Sequence, residues 1–182
     1  MMLKNNFLLA MPEIDAAYFA GTLTYICEHN ENGAMGIVVN RESDMSLLEL
    51  LAQLGLQTDR KWIDTPVFDG GPVSTERGTV LHSDDVVFES SATIGHGLCV
   101  STAMEALDAV AKNRGPKQFL VCLGYVGWDA GQLEDEIAKN IWLTAPASKE
   151  IIFHTHSKDK LQLAAEVLGV DIHLVATRAG YA

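Results

Sequence analysis

The chain contains little of what would assign a protein quickly to a class. Its 182 residues include only three cysteines, five prolines and 13 lysines and arginines. The cysteine count is odd, and no two cysteines form a CxxC pair. Cys27, Cys99 and Cys122 each lie in an apolar run, which predicts buried, reduced thiols.

Long hydrophobic runs are also missing. No apolar stretch approaches the roughly 18 residues that a membrane-spanning helix needs. The N-terminal segment has one lysine and a short apolar run that ends at Pro12, without the cleavage site of a signal peptide. We therefore expect a cytoplasmic protein without a membrane partner.

Positive charge is scarce as well. The net charge is −11 and the isoelectric point is about 4.8. An acidic chain is repelled by a phosphate backbone unless it carries a local basic patch. The densest basic stretch, Lys112, Arg114 and Lys117, is short and lies near a predicted turn, so the sequence disfavours direct nucleic-acid binding.

Apolar residues, by contrast, make up 48% of the chain, enough for a substantial core. The length suits a single domain over residues 1–182. Short β-type runs and capped helical repeats alternate in mixed order, which predicts an α/β (α+β) fold: a large mixed sheet flanked by about four helices. The runs interpreted as strands cover residues 7–11, 22–27, 36–40, 66–69, 86–88, 97–100, 118–123, 151–154 and 172–176.

The predicted helices are indicated by their caps and apolar spacing. Capping-box spacing starts helices after Ser46 and after Thr102. A third helix contains the acidic run 134–136, and a fourth covers residues 158–168. The polar stretch 28–33 ends in Asn32-Gly33 and predicts a hairpin turn.

Three long segments carry a resemblance to a known family. They are residues 10–12 with 25–41 (YICEHNENGAMGIVVNR), residues 70–73 (GGPV) with 80–82, and residues 124–137 (GYVGWDAGQLEDEI) with Asn140 and Trp142. In this order the chain resembles the YqgE/AlgH family from about residue 5 to its end. The chain departs from the family pattern at Glu42, Asp129 and Tyr181.

The resemblance implies a compact α/β-type domain with a large mixed sheet. The family name implies an association with regulation of alginate synthesis, and hence a role as a transcriptional regulator. It supplies no agreed set of catalytic residues. The resemblance therefore implies a fold more firmly than an activity.

Two glycine-rich segments are the predicted binding surface. The stretch 124–131 follows a predicted strand and opens a helix, which is a context for binding at a helix N-terminus. It lacks a GxGxxG or P-loop pattern, and the alternative is that its glycines only make tight turns. The binding residues proposed from these segments are Gly70, Gly71, Pro72, Tyr125, Gly127, Trp128, Gly131 and Gln132.

A second cluster, Cys27-Glu28-His29, offers a thiol beside an imidazole. Residues i and i+2 of a strand share a face, so Cys27 and His29 are candidates for an activated nucleophile. Glu28 and His29 are also included in the predicted binding surface. His154-x-His156 offers two metal ligands where a site needs three or four, so neither a metal nor another cofactor is predicted.

These observations lead to one main hypothesis and two alternatives. We expect a non-catalytic domain that binds a small ligand or a protein partner, with a regulatory role and no predicted catalytic residue. The first alternative is a thiol- or metal-dependent hydrolase that uses Cys27 and His29. The second is a transcriptional regulator that acts on DNA or through a protein partner.

Overall fold

A computed structural model describes residues 2–10, 17–60 and 65–171. By its internal contacts the chain divides into two units, Met1–Asn40 with Gly127–Ala182 (unit 1) and Arg41–Val126 (unit 2). The strand predicted over residues 172–176, Tyr181, and residue 11 of the first predicted strand lie outside the described residues.

The described residues of unit 1 form four antiparallel strands and two α-helices. The strands follow the order β10-β1-β2-β3, and the end of strand β9 lies beside β3. Short 3-10 and π-helical segments accompany them. The bounds are β1 Asn6–Ala10, β2 Leu23–Asn30, β3 Gly33–Val38, β10 Trp142–Pro146, α3 Gln132–Ala138, α4 Ser157–Glu166, a 3-10 turn at Ala17–Phe19 and a π-helical turn at Glu150–His154.

The β2–β3 hairpin turns at Glu31-Asn32, because Asn30 pairs directly with Gly33. The predicted turn over 28–33 was therefore too long, and Glu28 to Asn30 belong to β2. The pairing register shifts by one between Ile26 and Glu28, which places a bulge at Cys27. Beyond the bulge, Glu28 points to solvent and His29 is buried.

A buried ammonium group lies among the described residues of unit 1. Lys160 of α4 is buried and donates from Nζ to the carbonyl oxygen of Val39 at 2.8 Å. A buried lysine needs such acceptors, because desolvation of an unsatisfied charge is costly. This bond ties α4 to the chain just beyond β3.

Unit 2 contains the remaining strands and two α-helices. The first part of β9 pairs with β6, β6 with β8, and β8 with β7, all antiparallel. β5 runs parallel to β9, and β4 pairs with β5. The bounds are β4 Glu42–Ser46, β5 Pro66–Asp69, β6 Val73–Ser83, β7 Ala92–Gly95, β8 Leu98–Thr102, β9 Phe119–Asp129, α1 Leu47–Gln53 and α2 Ala103–Ala111.

The core of unit 2 forms where α1 and α2 cover the sheet. Leucines at helical spacing on α1 pack with the buried face of α2 and with valines from three strands. Its members are Leu47, Leu50, Leu51, Val67, Val80, Ala106, Leu107, Val110, Ala111 and Val121. The capping box predicted for α1 is present, since Ser46 and Glu49 bond each other's backbone N–H groups.

The predicted fold class is confirmed. The described residues contain ten strands and four α-helices, and the pairing is mixed, because β5 runs parallel to β9 whereas most other pairs are antiparallel. Among the described residues, no helix is long and apolar enough to cross a membrane. That residues 1–182 form a single domain remains a prediction.

Three local predictions were wrong. Residues 86–88 form no strand, because Ser91 accepts from the N–H of Phe88 and donates its own N–H to the Phe88 carbonyl, which closes a turn. Residues 151–154 lie in the π-helical turn, where neighbouring Ile151 and Ile152 are both buried rather than alternating. Thr102 makes no side-chain cap for α2, because Glu105 bonds residues 89 and 90 instead.

Candidate functional site

The predicted glycine-rich surface at Gly70, Gly71 and Pro72 is a close crossing of two backbones. A Cβ added to Gly71 would lie 2.1 Å from the carbonyl carbon of Tyr125, and one added to Gly124 would lie 2.2 Å from the Gly71 carbonyl oxygen. The Gly70 N–H donates to the Leu123 carbonyl at 2.8 Å. These glycines let β9 approach the chain before β6, so the structure gives them a packing role.

The second predicted segment, residues 124–131, is mostly strand rather than loop. β9 continues to Asp129, and Gly131, with a positive φ of 77°, is the N-cap residue before α3. Gly127 is therefore a strand residue. The structure brings Trp128 and Gln132 together at the start of α3.

Both of these side chains bond the carboxylate of Glu136, on the next turn of α3. Its Oε2 accepts from the indole N–H groups of Trp128 and Trp142, both at 2.8 Å, and its Oε1 accepts from Gln132 at 2.9 Å. Both indoles are buried and lie edge to face with centroids 6.0 Å apart. Trp128 therefore anchors α3, and its predicted binding role stays a prediction.

His29 is held by two partners within unit 1. Its Nδ1 accepts the backbone N–H of Leu3 at 3.1 Å, so in the neutral ring Nε2 carries the proton and donates to Glu134 at 2.9 Å. The Glu134 backbone N–H and His29 together hold the pKa of the Glu134 carboxyl below its usual value, against desolvation. Glu28 is exposed and accepts from Asn30.

Met2, the hairpin tip and the His29–Glu134 pair line an open cleft of about 580 Å³. The charged groups lining it, Glu31 and Glu134, are both acidic. Both ring nitrogens of His29 already have hydrogen-bond partners, Leu3 and Glu134. The described residues of the cleft therefore offer carboxylate and amide oxygens to a ligand.

The thiol–imidazole pair is not assembled as a nucleophile and base. The Cys27 thiol is buried and donates to the Tyr25 carbonyl oxygen at 3.8 Å, while both nitrogens of His29 have other partners. None of the three cysteines is in a disulfide, and all are buried as predicted. His154 and His156 lie in the π-helical turn and before α4, and no described side chains cluster as a set of three or more metal ligands.

Unit 2 has an apolar groove that the sequence analysis missed. α1 and α2 form its sides, and β6 and β9 contribute to its lining; its volume is about 500 Å³. Leu50 and Leu107 form its buried part, whereas Leu54 and Met104 are 37% and 54% exposed. Gly78 allows this arrangement, because an added Cβ would lie 2.6 Å from Ala103 Cβ. Leucine spacing predicted the helices, but it does not show which apolar residues remain uncovered.

A buried serine–histidine chain, also missed, lies in the same unit. His82 of β6 is fully buried; its Nδ1 donates to the Ser83 carbonyl at 2.8 Å, and its Nε2 lies 2.7 Å from Ser101 Oγ on β8. Ser101 Oγ is in turn 2.7 Å from Ser91 Oγ. The 19-residue separation of Ser101 and His82 gives no sequence signal, since only the β6–β8 register brings them together.

The architecture defines a class of α/β proteins built on a mixed ten-stranded sheet, and solved structures share it. The solution structure of the AlgH protein from Pseudomonas aeruginosa matches with a TM-score of 0.82 and 43% identity, over 100% of this chain and 97% of that one. A crystal structure of a Corynebacterium diphtheriae protein matches with a TM-score of 0.77 over 97% and 92% of the two chains. At 18% identity, the second match shows the fold alone.

Sequence comparison gives the family. A family model described as AlgH-like matches residues 7–173. A UPF0301 protein of Thioalkalivibrio sulfidiphilus is 48% identical over 98% of this chain and 96% of its own length, and one of Pseudomonas putida is 47% identical over 99% and 96%. The chain belongs to the AlgH-like family, which confirms the resemblance identified from the sequence.

Proposed function

We propose that this protein acts as a regulator that binds a protein partner through the apolar groove of unit 2. The observation that carries the proposal is the exposure of Leu54 and Met104 on the two sides of a groove with a buried apolar floor. Apolar side chains that are exposed next to one another often mark an interaction site, whereas single exposed apolar residues are common on any protein surface.

The shape of the groove suits an amphipathic helix. Two helices form its sides, and a partner helix inserts apolar residues at i, i+3, i+4 and i+7 into such a groove. Its polar lining is confined to a few side chains, among them Thr102 and the exposed Glu76 and Arg77. Few polar groups converge inside it, so the groove favours a peptide over a polar small molecule.

Charge favours a basic partner. The net charge of −11 attracts a cationic chain at long range and repels nucleic acid. A regulator with this surface acts by contact with another protein rather than by direct reading of DNA. Complementary charge sets the rate of encounter, and the groove sets the specificity.

The test uses two designed 14-residue peptides with leucines at helical spacing. In one peptide all remaining positions are lysine, and in the other they are glutamate. Binding is followed by amide chemical shifts of the isotope-labelled protein. We expect the lysine peptide to shift groove amides at Gly78, Met104 and Leu107, and the glutamate peptide to leave them unchanged. Met104→Glu should weaken binding by about tenfold or more, since a buried charge in the groove costs over 1.4 kcal/mol.

Val167→Glu is the matched control, because Val167 is as exposed as Met104 but lies in unit 1. It should bind the lysine peptide as the unmodified protein does. Equal weakening by both variants, or shifts confined to unit 1, would show that the groove is not the docking surface. Tighter binding of the glutamate peptide would overturn the predicted charge of the partner.

A further inference from the structure

The buried Ser101–His82 pair has a defined direction of hydrogen bonding. The Ser83 carbonyl oxygen can only accept, so Nδ1 of His82 carries the proton and Nε2 of the neutral ring is an acceptor. Ser101 Oγ–H therefore donates to Nε2 and accepts from the Ser91 hydroxyl. Ser91 Oγ in turn accepts the Phe88 N–H at 2.8 Å, so each hydrogen bond of the chain from Phe88 to His82 has a defined donor and acceptor.

This arrangement has the parts of a serine nucleophile with its base. A hydroxyl donating to an imidazole, with the other ring nitrogen held by a fixed acceptor, is the geometry that activates serine in hydrolases on unrelated folds. Here a backbone carbonyl takes the place of the usual carboxylate. We propose that Ser101 is a latent nucleophile for acyl transfer from activated esters, with His82 as its general base.

The reaction balances with water as the only co-substrate. Ser101 Oγ bonds to the ester carbonyl carbon, its proton passes to His82 Nε2, and the bond to the leaving alcohol breaks as that oxygen takes the proton. Water then gives a proton to Nε2 and bonds to the acyl carbon. The acyl–Oγ bond breaks, the proton returns to Oγ, and an acid and an alcohol have formed.

Ser101 lies close in the chain to the N-terminus of a helix. Ser101 is the second residue before α2, whose N-cap Thr102 makes no side-chain bond to the first turn. The N–H groups of a first helical turn point toward its N-terminal end and favour negative charge there.

Access to Ser101 is closed by a strap, residues 84–91, which contains no helix or strand. Ser101 is only 3% exposed, and the ring of Phe88 lies on His82 with centroids 5.5 Å apart. Val87, next to Phe88, is exposed. The strap therefore covers the pair with one aromatic side chain and the Ser91 hydroxyl.

Two carboxylates hold the strap at its ends. Asp85 accepts from the Ser83 hydroxyl and from the Lys117 N–H. Glu105 of α2 accepts from the N–H of Glu89 and from the N–H and hydroxyl of Ser90. Loss of the Glu105 bonds frees the end of the strap that is adjacent to Ser91, while the fold below it keeps its strand pairing.

The experiment labels the full chain with a fluorophosphonate and maps the modified peptide by mass spectrometry. We expect slow labelling at Ser101, and labelling about tenfold faster in Glu105→Ala, since local opening limits access to buried groups. Ser101→Ala and His82→Gln should not be labelled. Ser90→Ala removes the hydroxyl bond to Glu105 and the one from the Thr102 N–H, but keeps the backbone N–H bonds of Glu89 and Ser90 to Glu105. It should give an intermediate rate and serves where Glu105→Ala fails to fold.

Hydrogen exchange at Glu89 and Ser90 reports whether the strap has opened, independently of labelling. Fast exchange with no label at Ser101 would overturn the proposal. Label on Ser91 instead of Ser101 would overturn it as well, and unchanged slow exchange in Glu105→Ala would refute the role of Glu105. None of these results depends on the groove, so they are distinct from a failure of the proposed partner binding.

Discussion

The polar clusters of the two units are both fully hydrogen-bonded, but they differ in what covers them. In unit 1 the Glu136 carboxylate binds two buried indoles, so the cluster is part of the packed core. In unit 2 the Ser101–His82 pair lies under an irregular strap held by side-chain bonds. A hydrogen-bonded polar cluster is a structural feature where packed indole rings enclose it. A similar cluster becomes accessible to solvent where only a short irregular segment covers it and that segment opens.

The largest expected effect tests the view that the glycine-rich segments are packing features. Gly71→Ala places a methyl group within 2.2 Å of the Tyr125 backbone. The clash is with backbone atoms, so a change of side-chain rotamer cannot relieve it. We expect a loss of about 3 kcal/mol or more in the free energy of unfolding, measured by urea denaturation.

Gly95→Ala is the control within unit 2, because its added Cβ meets nothing within 4 Å and only its positive φ of 137° is unfavourable. It should cost about 1–2 kcal/mol. Equal losses for the two variants would show that the backbone crossing at Gly71 is looser than described.

An intermediate effect sharpens the structural assignment of unit 1. Glu136→Gln keeps the size of the side chain but replaces one of the two carboxylate oxygens with an NH₂ group. That donor must face either Gln132 or the two indoles. The amide oxygen can keep both indole bonds, so the bond that is lost is the exposed one from Gln132, and the indole bonds lose their ionised acceptor. We expect a cost of about 1 kcal/mol. Thermal denaturation measures the loss, and the nearby Glu134→Gln, which keeps an acceptor for His29, is the control.

Stability unchanged in Glu136→Gln would mean that the indoles are held by packing alone. The cluster would then lose its structural role, and Trp128 would regain the predicted role in binding.

The smallest expected effect concerns pH and the strap. Bonds from the Ser90 hydroxyl and backbone lower the pKa of Glu105 from its usual 4.5. A lowered folded pKa means that this contribution is fully present above the usual value and is lost as the pH falls through the folded value. Hydrogen exchange at Glu89 and Ser90, corrected for intrinsic rates, should therefore lose protection below pH 4.5.

At the β-hairpin tip the N–H of Asn32 donates to the amide oxygen of Asn30 rather than directly to a carboxylate, so its protection should change less in the same range. Protection at Ser90 that stays constant down to the pH of global unfolding would show that the strap does not depend on the ionised Glu105.

Local sequence signals predicted those elements whose determinants are local. The capping box at Ser46, the apolar repeats of α1 and α2 and the Asn-Gly hairpin were found in this way. β10 was missed because it is short and ends in Pro146, and β6 because its first half is mostly exposed. Pairing with neighbouring strands creates both, and pairing is not a local property.

The candidate sites were predictable only in part. Trp128, Gln132 and His29 were identified as unusual, and the structure does engage each of them in specific bonds. Their partners Glu136 and Glu134 were predicted only as members of the acidic run in the third helix. The groove and the Ser101–His82 pair depend on strand register and on helix placement, which no spacing in the chain reveals.

The edge-to-face pair of Trp128 and Trp142 has a spectroscopic consequence. Two indoles with centroids 6.0 Å apart, at an interplanar angle of 78° and fixed by one carboxylate, couple their electronic transitions. The folded protein should therefore show an exciton couplet in far-ultraviolet circular dichroism. When α3 separates from β9 and β10, Glu136 no longer holds the two indoles at this angle and the couplet should disappear. Circular dichroism therefore measures this contact without an added label.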